Sequence, residues 1–148
     1  ATRLKESAEL IAVCGIVGKI LIEIGTAVMI SADKGIRDHA VQLADMLEYI
    51  YDDEQYDEHP LIKIALAHCQ FENIHPFNDG NGRTGRLLVN LELMKAGFPP
   101  IDIKFTDRIA YYNAFDEYHV NHTLSAMEKL FAGYINERLD MYLAMLQE

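Results

Sequence analysis

The stretch His75-Pro76-Phe77-Asn78-Asp79-Gly80-Asn81-Gly82-Arg83-Thr84-Gly85-Arg86 decides the reading of the chain, because a base, a carboxylate, a glycine-rich turn and two arginines fall within it. Before it, Ile64, Ala65, Leu66, His68 and Phe71 carry a helical pattern that ends near Ile74. After it, Leu87, Leu88, Leu91 and Met94 recur at helical spacing. The stretch is therefore a loop between two helices. Gly80 and Gly82 open backbone conformations closed to other residues, and a glycine-rich turn entering a helix aims several free N–H groups at one point. Such a nest binds anions, phosphates above all. Arg83 falls in the first turn of the second helix and Arg86 three residues on, so both planar forks reach the same helix mouth and suit phosphate oxygens. Asp79 is placed to hold a divalent ion that bridges phosphates, since Mg²⁺ takes one or two carboxylates and completes its shell with substrate oxygens and water. His75, at the preceding helix end, is placed to take a proton from an attacking hydroxyl. Two plainer readings are a phosphate nest without catalysis and a Ca²⁺ loop. The latter needs several acidic ligands where this loop has Asp79 alone.

These twelve residues resemble the signature of the Fic family, His-Pro-Phe-x-(Asp/Glu)-Gly-Asn-Gly-Arg-x-x-Arg, with every fixed position matched. The similarity continues through Leu87-Leu88-Val89-Asn90-Leu91 and Gly97-Phe98-Pro99-Pro100-Ile101 to Tyr111-Tyr112, and fades upstream by about Met29. The resemblance implies a protein adenylyltransferase that moves AMP from Mg²⁺-ATP onto a hydroxyl of a target protein and releases diphosphate. It implies His75 as the base, Asp79 as the metal ligand, Gly80, Asn81 and Gly82 as the phosphate nest and Arg83 and Arg86 as phosphate clamps. Phe77 becomes a buried aromatic that anchors the loop. The related Doc type transfers a terminal phosphate and usually carries Ala and Lys where this chain has Gly80 and Gly82, which favours nucleotidyl transfer here. The alternatives are phosphate transfer, another nucleotide, removal of AMP by the same site, and a nucleotide-binding module of a toxin and antitoxin pair without turnover.

Composition bounds these readings. The 148 residues suffice for one domain with a real core. Thirteen basic against twenty-three acidic residues leave a net charge of −10, which argues against nucleic acid and anionic membranes as partners. Cys14 and Cys69 lie in apolar helical contexts and read as reduced core residues, in keeping with a cytoplasmic protein, delivery into a host cell being left open. The most apolar run, Ile11 to Ile24, is too short to span a bilayer and contains Lys19 and Glu23. A single domain over 1–148 is expected, with removal of flanking segments an open alternative.

In chain order, Leu4, Ala8, Ile11, Gly15, Gly18 and Ile22 have helical spacing. Many Fic proteins carry an inhibitory helix with Ser/Thr-x-x-x-Glu-Gly/Asn. Thr2 and Glu6 fill its first two positions, and Ser7 departs from the third. The other reading of Glu6 is an acid offsetting a helix dipole, which leaves inhibition to a removed segment or a separate partner. Gly25 to Ser31 is a short β-rich run. By resemblance Val28, Met29 and Ile30 form a flap that aligns the target as an added strand, although the proline pair usual after that flap is replaced by Ile36-Arg37-Asp38. A buried connector is the other reading. Ile36, Ala40, Leu43, Leu47 and Ile50 mark an amphipathic helix, followed by an acidic loop that reads as solvated surface. His59 and Pro60 start the next helix, and His68 packs near the motif. Gly97 ends the motif helix, and Thr106-Asp107 caps the following one. There Tyr112 and Asn113 are the candidates for base contacts by resemblance. The last helix, from Thr123, shows a wide apolar stripe through Leu146 that reads as core, with a protein interface at its far end. The expectation is an all-α Fic-type bundle of about six to eight helices with a small β-hairpin flap near the active-site loop.

Overall fold

Proline at the first helical position, with no N–H to lose, starts the helix that leads into the motif. In the computed structural model, which describes residues 34–52 and 55–147, that helix is the second of five: α1 Lys34–Tyr51, α2 Pro60–Ile74, α3 Asn81–Lys95, α4 Arg108–Asn121 and α5 Ser125–Met145. A 3₁₀ turn, Phe105–Asp107, leads into α4. No strand occurs among the described residues, and the proposed flap at Val28, Met29 and Ile30 lies outside them, as do Thr2 and Glu6. By its internal contacts the chain divides between Glu48 and Tyr49. Of the first unit, the described part is most of α1, where Ala40 and Met46 are buried.

The second unit holds the motif. His59 accepts the Leu61 N–H on its Nδ1 at 3.2 Å and so caps α2. At the far end of α3, Gly97 adopts φ +85°, the Phe98 N–H bonds the Leu93 carbonyl at 2.9 Å and the Gly97 N–H bonds that of Met94 at 3.2 Å. These are the two bonds of a Schellman stop, and glycine enters its left-handed position without a Cβ penalty. The Phe98-Pro99-Pro100 crossing that follows is pinned by one side chain: Asn90 donates Nδ2–H to the Ile101 carbonyl at 2.9 Å and accepts the Ile101 N–H at 2.8 Å. Asp107 occupies the cap position of α4, but its carboxylate accepts the Tyr134 hydroxyl and the Thr106 hydroxyl, so it ties the 3₁₀ turn to α5 instead of capping its own helix.

α2 packs on α3 and α5, and α4 packs on α5. The core between them is Ile64, Ala65 and Cys69 of α2, Val89 and Leu93 of α3, Ile101, Tyr111 and Ala114, and Met127, Phe131, Tyr134 and Ile135 of α5. The α5 set follows i, i+4, i+7, i+8, one face of a helix. Burial pushes the Cys69 thiol up to about 12, so it stays protonated and behaves as a small apolar core residue. The wide stripe expected along the last helix is core over its first half only. From Leu139 onward it is exposed, with Leu143 57% and Leu146 82% accessible, because the buried cluster ends at Ile135. No described helix is long and apolar enough to cross a membrane.

Candidate active site

The loop is made by the two helix ends that bound it. α2 closes on His75 in the left-handed conformation, φ 51° and ψ 55°, with its N–H on the Phe71 carbonyl at 3.0 Å. A β-carbon in that region costs about 1–2 kcal/mol, a strain that residues at functional sites often hold. The ring Nδ1 stands 3.3 Å from the Glu72 carbonyl oxygen. A carbonyl only accepts, so Nδ1 carries the hydrogen and Nε2 is left as the lone-pair base. The side chain is exposed and open to a reacting group.

The loop's shape comes from Asn81, which is 3% exposed. Its Oδ1 accepts the Phe77 N–H at 2.9 Å and its Nδ2 donates to the Phe77 carbonyl at 2.6 Å, so one amide clasps both polar groups of a residue four positions back. This is where the sequence reading of Phe77 is corrected. Its ring rests beside Phe71, centroids 6.3 Å apart, but it is 45% exposed, because the amide clasp holds the loop by its backbone and leaves the ring at the rim.

Gly80, at φ +85°, turns the chain into α3, and no side chain caps that helix. The first helical bond is Thr84 N–H to the Gly80 carbonyl at 2.9 Å, so the amides of Asn81, Gly82 and Arg83 have no intrahelical partner at the positive end of the helix dipole. Such an array suits an anion. Asp79 and Arg83 stand at its rim: Asp79 Oδ1 accepts the Gly80 N–H at 2.7 Å and Oδ2 accepts from Arg83 Nη2 at 3.0 Å. With the two side chains 91% and 73% accessible, that ion pair is worth only about 0–1 kcal/mol and opens readily for a competing ligand. Arg86, one turn further, is also exposed. Tyr112 is 63% exposed, its ring 5.8 Å from that of the buried Tyr111, and Asn113 is exposed on the same helix. Of the two adjacent tyrosines, Tyr111 is therefore the packed one and Tyr112 the one that faces out.

Behind the loop lies a polar layer that sequence reasoning did not assemble. His68, 3% exposed, bonds the Tyr111 hydroxyl through Nε2 at 2.6 Å. His68 and Glu72 are four residues apart on α2, so they share a face, and they meet α3 at Gly85. A Cβ there would run into Glu72 Oε1 and press to 3.2 Å from His68 Nδ1. Both of these atoms are buried without a hydrogen-bond partner among the described residues. The signal was present as two polar residues four apart on one helix facing two glycines three apart on the next.

Burial, and after it the Arg86 guanidinium, push the His68 pKa from 6.5 down to about 3, so the ring is neutral in the folded protein. The unfolded chain takes up a proton that the folded one refuses. The stability tied to this neutral ring is thus complete above about pH 6.5 and is lost as pH falls toward 3, by about 1.4 kcal/mol per pH unit. Glu72, whose carboxyl burial raises against the pull of His75 and Arg86, works in the opposite sense. The expected result is that wild type loses urea resistance between pH 7 and pH 4.5 faster than His68→Gln. Parallel losses would contradict the assignment.

A sequence model of the Fic/DOC family matches residues 22–93. Protein adenylyltransferase Fic of Nematostella vectensis is 45% identical over 87 residues, 58% of this chain and 20% of its own length. The protein of the same name from Drosophila mojavensis is 36% identical over 109 residues, 74% of this chain and 22% of its own. A solved structure of C. elegans Fic-1 superposes with a TM-score of 0.68 at 30% identity, over 73% of this chain and 32% of that one. The chain thus spans at most 22% of the length of these curated relatives. With the full motif set on a helix–loop–helix frame shared with such a relative, residues 22–93 are the Fic/DOC stretch of this chain.

Proposed function

We propose that this domain is a protein adenylyltransferase, transferring AMP from ATP to a hydroxyl of a target protein. The observation that carries the reading is the uncapped mouth of α3 with His75 at its edge, its Nδ1 turned to a carbonyl and its Nε2 open. The relatives' name, protein adenylyltransferase, supports the same reaction. The chemistry follows from the groups. A Ser, Thr or Tyr hydroxyl gives its proton to His75 Nε2 as its oxygen bonds the α-phosphorus. The bond from that phosphorus to the β-phosphate oxygen breaks, and diphosphate leaves. Charge growing on the α-phosphate oxygens meets the amides of Asn81 and Gly82, fixed in place beforehand by the Phe77 clasp. Arg83 and Arg86 hold the leaving diphosphate.

Asp79 fits a Mg²⁺ ion that arrives with the nucleotide, being a single hard carboxylate, 91% accessible, at the rim of a phosphate nest. Bound there, the ion would offset the negative charge of the phosphates. Asp79 holding the ion would free Arg83 for the phosphates. Tyr112 and Asn113 are proposed for the base, the run Val28, Met29 and Ile30 for alignment of the target, and restraint through Thr2 and Glu6 or a separate partner. A cytoplasmic setting belongs to the same proposal, and these last points rest on the family resemblance.

The test is incubation with Mg²⁺ and a cell lysate in parallel with ATP labelled at the α- or the γ-phosphate. Label on protein from the α position alone is expected. Label from the γ position alone would move the domain to phosphate transfer, and nucleotide binding without any label would favour a module without turnover.

A further inference from the structure

The polar layer behind the loop contains one charge that the transfer chemistry does not use. Glu72 stands one turn before His75, and its Oε1 is buried with no hydrogen-bond partner among the described residues. A buried carboxylate in that condition is costly and is tolerated beside a compensating cation. The two basic side chains that act on it are His75 and Arg86. His75 is already tied by its amide and its ring to the α2 backbone. Arg86 and Glu72 flank the same glycine without a direct bond between them: from the point a Cβ on Gly82 would take, Arg86 Nη1 is 3.3 Å away and Glu72 Oε1 3.9 Å. On its other side Arg86 acts on the Tyr111 hydroxyl. Gly82 and Gly85 therefore leave a gap that the Glu72 carboxylate enters from α2, and the Arg86 guanidinium lies beside the same Gly82, at the turn that presents the free amides.

We propose that Glu72 is the positioning residue of Arg86, its carboxylate holding the guanidinium over Gly82 at the helix mouth, where the phosphates of the nucleotide bind. This rests on the reading of Arg86 as a phosphate clamp. Arg86 projects from an exposed helix turn on a flexible stem and has many places to go. A fixed counter-charge beneath Gly82 removes most of that freedom before the ligand arrives, which is the entropic part of binding.

The test is a double-mutant cycle read by calorimetric titration with Mg²⁺-ATP, so that it does not depend on whether AMP is transferred. Arg86→Ala and Glu72→Gln are each expected to lose about tenfold in affinity, and the double variant to bind no more weakly than Arg86→Ala. Glu72→Gln should unfold at the wild-type temperature or above, since neutralising a buried carboxylate relieves its desolvation. A merely structural Glu72 would instead lower the unfolding temperature. Glu72→Asp, one methylene shorter with its charge kept, should lose less affinity than Glu72→Gln and serves if the glutamine variant folds poorly. Unchanged affinity in Glu72→Gln, or an equal further loss in the Arg86→Ala background, would overturn the inference and leave AMP transfer standing. Wild-type affinity in Arg86→Ala would remove the clamp and the inference together.

Discussion

Replacing His75 with asparagine is expected to lower transfer by about 10²–10⁴-fold, the usual contribution of a positioned general base, while the protein still folds and binds ATP. Asparagine is chosen for the backbone. His75 sits at φ 51°, where most L-residues are strained, and asparagine tolerates that region better than other non-glycine residues. The helix end should therefore survive, with stability within about 1 kcal/mol of wild type. The amide has no lone-pair nitrogen to accept a proton, so the loss falls on the chemical step. In the proposed mechanism the phosphate contacts come from the amides of Asn81, Gly82 and Arg83 and from the two arginines, none of which depends on the imidazole. Titration with Mg²⁺-ATP should thus match wild type. Transfer at the wild-type rate by His75→Asn would remove the histidine from the role of base.

The second large effect is expected at Asn81, and it falls on shape. Asn81→Ala deletes both bonds to Phe77, leaving a partly buried N–H and carbonyl to find water. The cost is about 1–3 kcal/mol of stability. With the clasp gone, the turn through Asn78, Asp79 and Gly80 loses its fixed entry to α3, so nucleotide affinity and transfer should both fall by more than about tenfold. Asn81→Asp separates shape from charge: it keeps an acceptor for the Phe77 N–H, loses the donor to the Phe77 carbonyl, and adds a negative charge beside the phosphate nest. It should be more stable than Asn81→Ala by thermal unfolding, yet bind ATP no better. Wild-type stability and affinity in Asn81→Ala would show that the loop is held by other means.

Most of the frame of the second unit was legible in the sequence because its signals are local. Pro60 and His59 start α2, Gly97 stops α3, and the apolar periodicities on either side of the motif mark it as a connection between two helices. The glycine turn into an uncapped helix start was equally legible, since it follows from Gly80 and Gly82 at the entry to α3. What escaped was what three helices make together. His68 and Tyr111 are 43 residues apart, and their bond joins α2 to α4 while the same His68 ring lies against Gly85 of α3. Nothing local in the sequence singles out Glu72, one turn before the motif. Phe77 reads as an anchor by its size, whereas the anchor is the amide of Asn81, a job that side-chain hydrophobicity cannot reveal. Along α5, the periodic stripe does not say where the core ends. Leu139 to Leu146 continue the pattern beyond the last buried residue, Ile135.

The most direct test of the central claim is to map, by mass spectrometry, the bond formed on whichever lysate protein acquires label from α-labelled ATP. An AMP phosphodiester on a Ser, Thr or Tyr oxygen, formed by wild type and absent with His75→Asn, is the predicted result. A bare phosphate on that protein, or an AMP adduct formed equally by the His75→Asn variant, would contradict the account.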